Sequence, residues 1–146
     1  MKNILVTGGA GYIGAHVCET LIKNKKKVIV VDNLSTGSKK LLNKKTIFYK
    51  VNILNLNKIR NIIITNKIDS VIHLAGSLII GAGEKFPKSY YINNVLGTKS
   101  IIEACKNSTV KNFLFSSTAA VYKDHQKIIN ENSKIQPKSV YGKTKI

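Results

Sequence analysis

Acidic residues are scarce in this 146-residue chain: seven Asp and Glu stand against 24 Lys and Arg, a formal net charge of +17. Arginine is scarcer still, Arg60 being the only one. Base and phosphate recognition draws on arginine's planar fork. Lysines scattered among many Ile and Asn residues therefore read as a solvated surface, and no nucleic-acid partner is expected. The two cysteines, Cys18 and Cys105, lie far apart with no CxxC pair and no histidine at metal spacing. A reduced, cytoplasmic chain without structural metal is the expectation. No apolar run approaches membrane-spanning length, and Met1 to Val6 is too short for a secretory signal, so no membrane partner is expected either. What is present is enough apolar residue, 43%, to build the core of one domain.

Short β-branched runs alternate with helical patterns, and no internal repeat is visible. The strand candidates are Asn3 to Val6, Val28 to Val31, Thr46 to Lys50, Ser70 to Leu74 and Asn112 to Phe115. Each is short and apolar, as strands covered on both faces are. Between the first two, Ile13, Val17 and Leu21 fall at i, i+4 and i+8 and give one helix a single apolar stripe. Leu54 to Ile64 and Ser89 to Lys106 are the next helix candidates. Beyond Ser116 a long irregular stretch runs to about Lys138, a length that usually serves a site. Strands joined by crossover helices imply an α/β fold with a parallel sheet and helices on both faces.

The chemistry starts after the first strand. Gly8, Gly11 and Gly14 are spaced GxxGxxG between a strand and a helix, so a pyrophosphate can approach bare backbone at a helix N-terminus. A lone glycine pattern is weak evidence. Here a strand precedes it, a helix follows, and Asp32 ends the second strand 18 positions past Gly14. Its carboxylate can accept from the adenine ribose hydroxyls and would repel a 2'-phosphate, which favours NAD over NADP. Chain order and glycine spacing predict a Rossmann-type sheet ordered 3-2-1-4-5.

Taken in order, GGAGYIG at 8–14, VDNLSTG at 31–37, HLAG at 73–76, YYINN at 90–94, FSSTAAVY at 115–122 and YGKTK at 141–145 resemble the UDP-glucose 4-epimerases, which are extended short-chain dehydrogenase/reductases. The resemblance covers the front half of such an enzyme. It implies that residues 1–146 are an NAD-binding domain incomplete at its C-terminus, without the substrate domain. It further implies a UDP-sugar substrate and a homodimer for the complete enzyme. By the same resemblance Gly8, Gly11, Tyr12, Ile13 and Gly14, the loop Asn33, Leu34, Ser35, Thr36 and Gly37, then Asn52, Ile53, Leu74, Ala75, Gly76, Leu78 and Asn93 line the cofactor alongside Asp32.

Tyr141 and Lys145 are four apart, which on a helix puts them on one face. A free tyrosine is a poor base at neutral pH, and a fixed ammonium favours its phenolate. With six tyrosines and so many lysines a YxxxK pair is expected by chance, so the position of the pair after FSSTAAVY carries the catalytic reading. Tyr141 could then remove a proton from a sugar hydroxyl with Lys145 beside it, and by the resemblance both Tyr141 and Lys145 also contact the cofactor. Thr118 follows the fifth strand and could hydrogen-bond the same substrate oxygen. The related dehydratases carry acidic residues just after this threonine, whereas Ala119 and Ala120 stand here, which fits oxidation and re-reduction at C4 rather than elimination. Three positions depart from the usual epimerase pattern: Asn52 for an aspartate, Leu78 for a lysine, and Lys123 where glycine usually follows VY. His73 closes a buried-type strand and is expected to pack or bond backbone rather than catalyse. For Asn93 the alternative to a cofactor contact is a helix-bending role.

Overall fold

A computed structural model describes residues 2–123 and 128–146. They form two compact units, Met1–Ala75 with Gly97–Ser116, and Gly76–Leu96 with Ser117–Ile146.

The first unit holds a five-stranded sheet with parallel pairing throughout, made of β1 (Asn3–Thr7), β2 (Lys27–Asp32), β3 (Ile47–Lys50), β4 (Ser70–His73) and β5 (Asn112–Phe115). The strand order is β3-β2-β1-β4-β5, as the glycine spacing and chain order predict. Alternation along the strands assigns the two faces. Leu5, Ile29, Val31 and Val71 pack with Ile59, Ile62 and Ile63 of α2 (Leu56–Thr65) and Ile101 and Ala104 of α5 (Gly97–Cys105). Ile4, Val6, Val28 and Val30 pack on the opposite face against Cys18, Leu21 and Ile22 of α1 (Tyr12–Lys23). Each fully buried Val, Leu or Ile among them contributes about 1.5–3 kcal/mol.

Both α1 and α2 end in the same way. The Lys26 and Lys25 amides reach back to the Leu21 and Ile22 carbonyls, and the Ile68 and Lys67 amides to those of Ile63 and Ile64. This termination requires a left-handed residue just past the helix, supplied here by Lys25 at φ 56° and Lys67 at φ 47° rather than by glycine. Strand register then sets Val31, Thr7, His73 and Phe115 side by side. They form the carboxyl edge of the sheet, and β1 lies at the point where the strand order reverses, where open α/β sheets bind ligands.

The second unit contains α3 (Ile80–Lys85), α4 (Pro87–Tyr90), a π-helical turn over Tyr91–Leu96, a 3-10 turn over Ala119–Val121 and α6 (Val140–Lys143). Pro87 starts α4 where a missing N–H costs nothing. The single helix expected from Ser89 to Lys106 is thus α4, a π-helical turn and α5 in succession. Part of the expected irregular stretch is ordered: Tyr122 bridges Ile135 in antiparallel fashion, the Lys123 amide donates to the Lys134 carbonyl at 2.8 Å, and the Gln136 amide to the Val121 carbonyl at 2.9 Å. Lys123 does not occupy a left-handed conformation, which removes the backbone reason for a glycine at that position.

Candidate functional site

In the first unit the site is built on backbone. Gly8 follows β1 with φ 70° and sends its amide to the Val31 carbonyl at 2.9 Å. A Cβ there would stand 2.7 Å from the Ala75 nitrogen, so the glycine turn and the segment after β4 meet with no side chain between them. Gly14, one turn into α1, lies against the turn itself, where a Cβ would collide with the Gly8 carbonyl oxygen. Gly11 begins α1 without any side-chain cap, and Tyr12 and Ile13, the first two helical residues, are exposed. Uncapped amides at a helix start are a binding place for an anionic group.

Asp32 ends β2, nearly buried at 9% exposure. Its Oδ2 accepts from the Ala10 amide at 3.0 Å and its Oδ1 from the Leu34 amide at 2.8 Å. Each oxygen keeps a lone pair for another donor. The loop after it folds back on the glycine turn: the Ser38 amide donates to the Ala10 carbonyl at 2.9 Å, and a Cβ on Gly37 would come within 2.7 Å of that same oxygen. Asn33 accepts from the Ser35 amide at 3.0 Å, Leu34 takes the left-handed conformation at φ 60°, and Ser35 and Thr36 are exposed. After β3, Asn52 is exposed and accepts from the Leu54 amide at 2.9 Å, while the Ile53 side chain is buried in the core beside α2. Leu74 and Ala75 are half-buried, with the Ala75 amide on the Thr7 hydroxyl at 3.3 Å.

In the second unit, Tyr141 lies in α6 and Lys145 just past its end, the Lys145 amide bonding the Gly142 carbonyl at 3.0 Å. Tyr141 is half-buried and Lys145 buried. Burial lowers the pKa of the Lys145 ammonium from its ordinary value. A Cβ built on Gly76 would lie 3.2 Å from both Lys145 Nζ and Asn94 Oδ1, so this glycine makes room for the ammonium. Thr118 caps the 3-10 turn, its hydroxyl accepting from the Ala120 amide at 3.2 Å. That turn supports α6: Gly142 touches the Ala120 carbonyl so closely that no Cβ fits, and Ser117 Oγ donates to the Lys145 carbonyl at 3.0 Å. Leu78 is exposed, and Asn93, in the π-helical turn, donates to Ser77 Oγ at 3.0 Å.

Two residues of this second unit escape sequence reasoning. Asn94, buried at 2% exposure, accepts from the Ser77 amide at 2.7 Å and donates to the Ser77 carbonyl and to Thr144 Oγ1, both at 2.9 Å. It ties the segment after Gly76 to the residue preceding Lys145. The signal available was an asparagine inside an otherwise apolar helical pattern, but its neighbour Asn93 carried the resemblance. Glu84 of α3 accepts from the Val140 amide at 2.8 Å and so caps α6 together with Ser139, whose hydroxyl accepts from the Gly142 amide at 3.0 Å. Among the described residues no group of His, Cys, Asp and Glu is placed to hold a metal ion. No helix among them is long and apolar enough to cross a membrane.

A parallel sheet ordered 3-2-1-4-5, with a glycine turn opening a helix beside its switch point, defines a Rossmann-type α/β protein. More narrowly, the chain belongs to the NAD dependent epimerase/dehydratase family, which it matches over residues 4–146. It is 39% identical to a UDP-glucose 4-epimerase of Schizosaccharomyces pombe over 155 residues, covering 98% of this chain and 44% of that protein. Among solved structures it is similar to a UDP-glucose 4-epimerase of Stenotrophomonas maltophila with bound NAD and formylated UDP-arabinopyranose, with TM-score 0.95, 29% identity, and coverage of 99% of this chain and 46% of that one. A UDP-glucose 4-epimerase of Thermotoga maritima with UDP-glucose gives TM-score 0.93 at 37% identity, covering 98% of this chain and 47% of that one. The chain therefore spans less than half the length of the proteins it matches.

Proposed function

We propose that this chain is the NAD-binding and proton-transferring part of an enzyme that epimerises UDP-hexoses at C4, interconverting UDP-glucose and UDP-galactose. The observation that carries the reading is the 39% identity to a UDP-glucose 4-epimerase along 98% of the chain.

The residues of the first unit fit a dinucleotide. Gly8, Gly11 and Gly14 present bare backbone at the uncapped start of α1, beside Tyr12 and Ile13, for the pyrophosphate. Asp32 offers two acceptor oxygens for ribose hydroxyls, and Asn33, Leu34, Ser35, Thr36 and Gly37 continue that wall. Asn52 and, through its backbone, Ile53 would border the adenine. Leu74 and Ala75 of this unit, and Gly76, Leu78 and Asn93 of the second, are assigned by the resemblance alone to follow the cofactor toward its nicotinamide. When bound, NAD supplies the acceptance and return of hydride.

The chain's own chemistry is proton transfer. Tyr141 would take the proton of the C4 hydroxyl and return it after the 4-keto sugar presents its other face. Lys145, held beside Gly76, favours the phenolate by its charge, and the Thr118 hydroxyl would bond the same substrate oxygen. Ala119 and Ala120 provide no acid for expelling water, which favours epimerisation over the dehydratase reading. The free thiols of Cys18 and Cys105 support a reducing, cytoplasmic setting, and the resemblance supports a homodimer for the complete enzyme. The test is twofold. Calorimetry of this chain with NAD and NADP should give binding that favours NAD, and the complete enzyme should interconvert UDP-glucose and UDP-galactose. Absence of NAD binding, or dehydration of the sugar instead, would refute the reading.

A further inference from the structure

The proposed reaction makes no use of a row of hydrogen bonds through the middle of the sheet unit. His73 is fully buried at the end of β4, with Nδ1 2.6 Å from the Thr7 hydroxyl oxygen and Nε2 2.8 Å from that of Thr98 in α5. The ring plane is set by Phe115, stacked on it at 5.9 Å between centroids, and by Phe113 at 6.1 Å. Thr7 is fully buried as well, and its hydroxyl oxygen accepts from the Ala75 amide at 3.3 Å.

These partners decide where the imidazole carries its hydrogen. An amide only donates, and a hydroxyl has a single hydrogen. Thr7 Oγ1 keeps a second lone pair, but its own hydrogen is fully buried and has His73 Nδ1 as its one acceptor among the described contacts, so that hydrogen goes to Nδ1, which is then an acceptor. The ring hydrogen of the neutral imidazole must lie on Nε2 and point to Thr98. An imidazolium would donate from both nitrogens and leave the Thr7 hydroxyl hydrogen buried without its acceptor, which disfavours the charged ring.

The row acts on one backbone contact. Thr7 directly precedes Gly8, and the Gly8 turn meets Ala75 with no space for a side chain. The strand ladder does not join these two residues, since the Gly8 amide bonds the Val31 carbonyl and the Leu74 amide the Thr7 carbonyl. The Thr7 hydroxyl bonds the Ala75 amide at that contact. Both backbone stretches are among those assigned above to the dinucleotide.

We propose that His73, held as its Nε2–H tautomer between Thr7 and Thr98, is a positioning residue for the dinucleotide site, setting the spacing of the Gly8 turn against Ala75 through the Thr7 hydroxyl. The proposal rests on the NAD reading given above.

Two measurements test it. Long-range proton–nitrogen correlation of the imidazoles, with the His73 signal assigned by its loss in His73→Asn, reads the tautomer in the ligand-free wild-type chain. NAD calorimetry on the wild type, Thr7→Val and Thr7→Ser reads the consequence. The wild type should show the Nε2–H form at about pH 7. Thr7→Val, which keeps the shape and removes the hydroxyl, should weaken NAD binding about tenfold, and Thr7→Ser should stay within about twofold of the wild type. Thr98→Val, which removes the far anchor, should weaken binding in the same direction and decides the matter should Thr7→Val fail to fold. A wild-type Nδ1–H tautomer or imidazolium overturns the proposal, as does tight NAD binding by a folded Thr7→Val or Thr98→Val. A wild type that binds no NAD overturns the dinucleotide reading and the positioning role together. Wild-type binding that Thr7→Val and Thr98→Val leave intact overturns the positioning role alone.

Discussion

The Asp32 carboxylate holds the Ala10 amide at 3.0 Å, joining the end of β2 to the glycine turn across 22 residues of chain. Its other oxygen holds the Leu34 amide, so one side chain fixes both the turn that precedes α1 and the loop that leaves β2. The group assigned to the ribose is thus also a structural brace.

Asp32→Ala is accordingly expected to do two things. NAD binding should weaken by about 1–3 kcal/mol because hydroxyls lose a charged partner, and thermal stability should fall because two backbone amides lose their acceptor. Calorimetry and melting curves on the two proteins separate the effects. Equal NAD affinities, or a wild type that prefers NADP, would contradict the assignment.

Tyr141→Phe, made in the complete enzyme, keeps the ring and removes the base. Epimerisation should fall by about 100-fold or more while NAD stays bound. Near-full turnover in a steady-state assay would show that another group moves the proton.

Gly14→Ala and Gly81→Ala should differ in sign. A Cβ on Gly14 collides with the Gly8 carbonyl oxygen and comes within 2.6 Å of Gly9 Cα, whereas one on Gly81 in α3 meets nothing within 4 Å. Denaturant titration should find Gly14→Ala destabilised by about 1–3 kcal/mol. Gly81→Ala should be neutral or stabilised by up to about 1 kcal/mol. Similar losses in both would mean that the contacts at Gly14 do not set its cost.

Lys25→Gly and Lys67→Gly should each stabilise the chain by about 0.5–1 kcal/mol, because a left-handed position past a helix then carries no Cβ. Equilibrium unfolding is the measurement, and a loss of stability in both variants would run against the argument.

Thiol chemistry gives an independent check on the core. Burial pushes the Cys18 thiol up to about 12 and that of Cys105 to about 11. At about pH 8 both are overwhelmingly protonated, and only the thiolate reacts. Alkylation of the folded chain should therefore be slow and should accelerate on denaturation and as pH rises. Fast labelling of Cys18 in the native state would show that α1 does not stay packed on the sheet.

Much of this was legible from residue patterns. The strands lie within a residue or so of their expected ends; β1 and β2 are buried apolar runs, whereas β5 is just as apolar in sequence but leaves Phe113 and Leu114 exposed, so the expectation of cover on both faces does not hold there. The turn at Gly8 was legible because strand, glycines, helix and Asp32 come in one order. What could not be read depends on contacts distant in sequence. Helix α3 was missed because Gly81 and Gly83 weaken its local pattern, while its stability draws on the buried Tyr90 ring beside Gly83. The break of the expected helix at Tyr91–Leu96 fits the helix-bending alternative noted for Asn93, yet the buried, fully bonded residue there is its neighbour Asn94. No periodicity distinguishes two adjacent asparagines when only a fold places one of them against Ser77 and Thr144.

Five residues among those described take the left-handed conformation, and four of them are Lys25, Leu34, Lys67 and Asn107; only Gly8 is a glycine. Gly9, Gly14, Gly37 and Gly142 need no unusual dihedral, yet each has an atom standing where a first side-chain carbon would go. Glycine in this chain serves as clearance rather than as a hinge. A composition drifting toward Lys and Asn can overwrite the punctuation at helix ends, because the penalty there is about 1–2 kcal/mol per residue. It cannot overwrite space already filled by backbone. Gly8, Gly14, Gly37 and Gly142 trace where main chain touches main chain, and the first three outline the turn before α1 more sharply than any helix boundary.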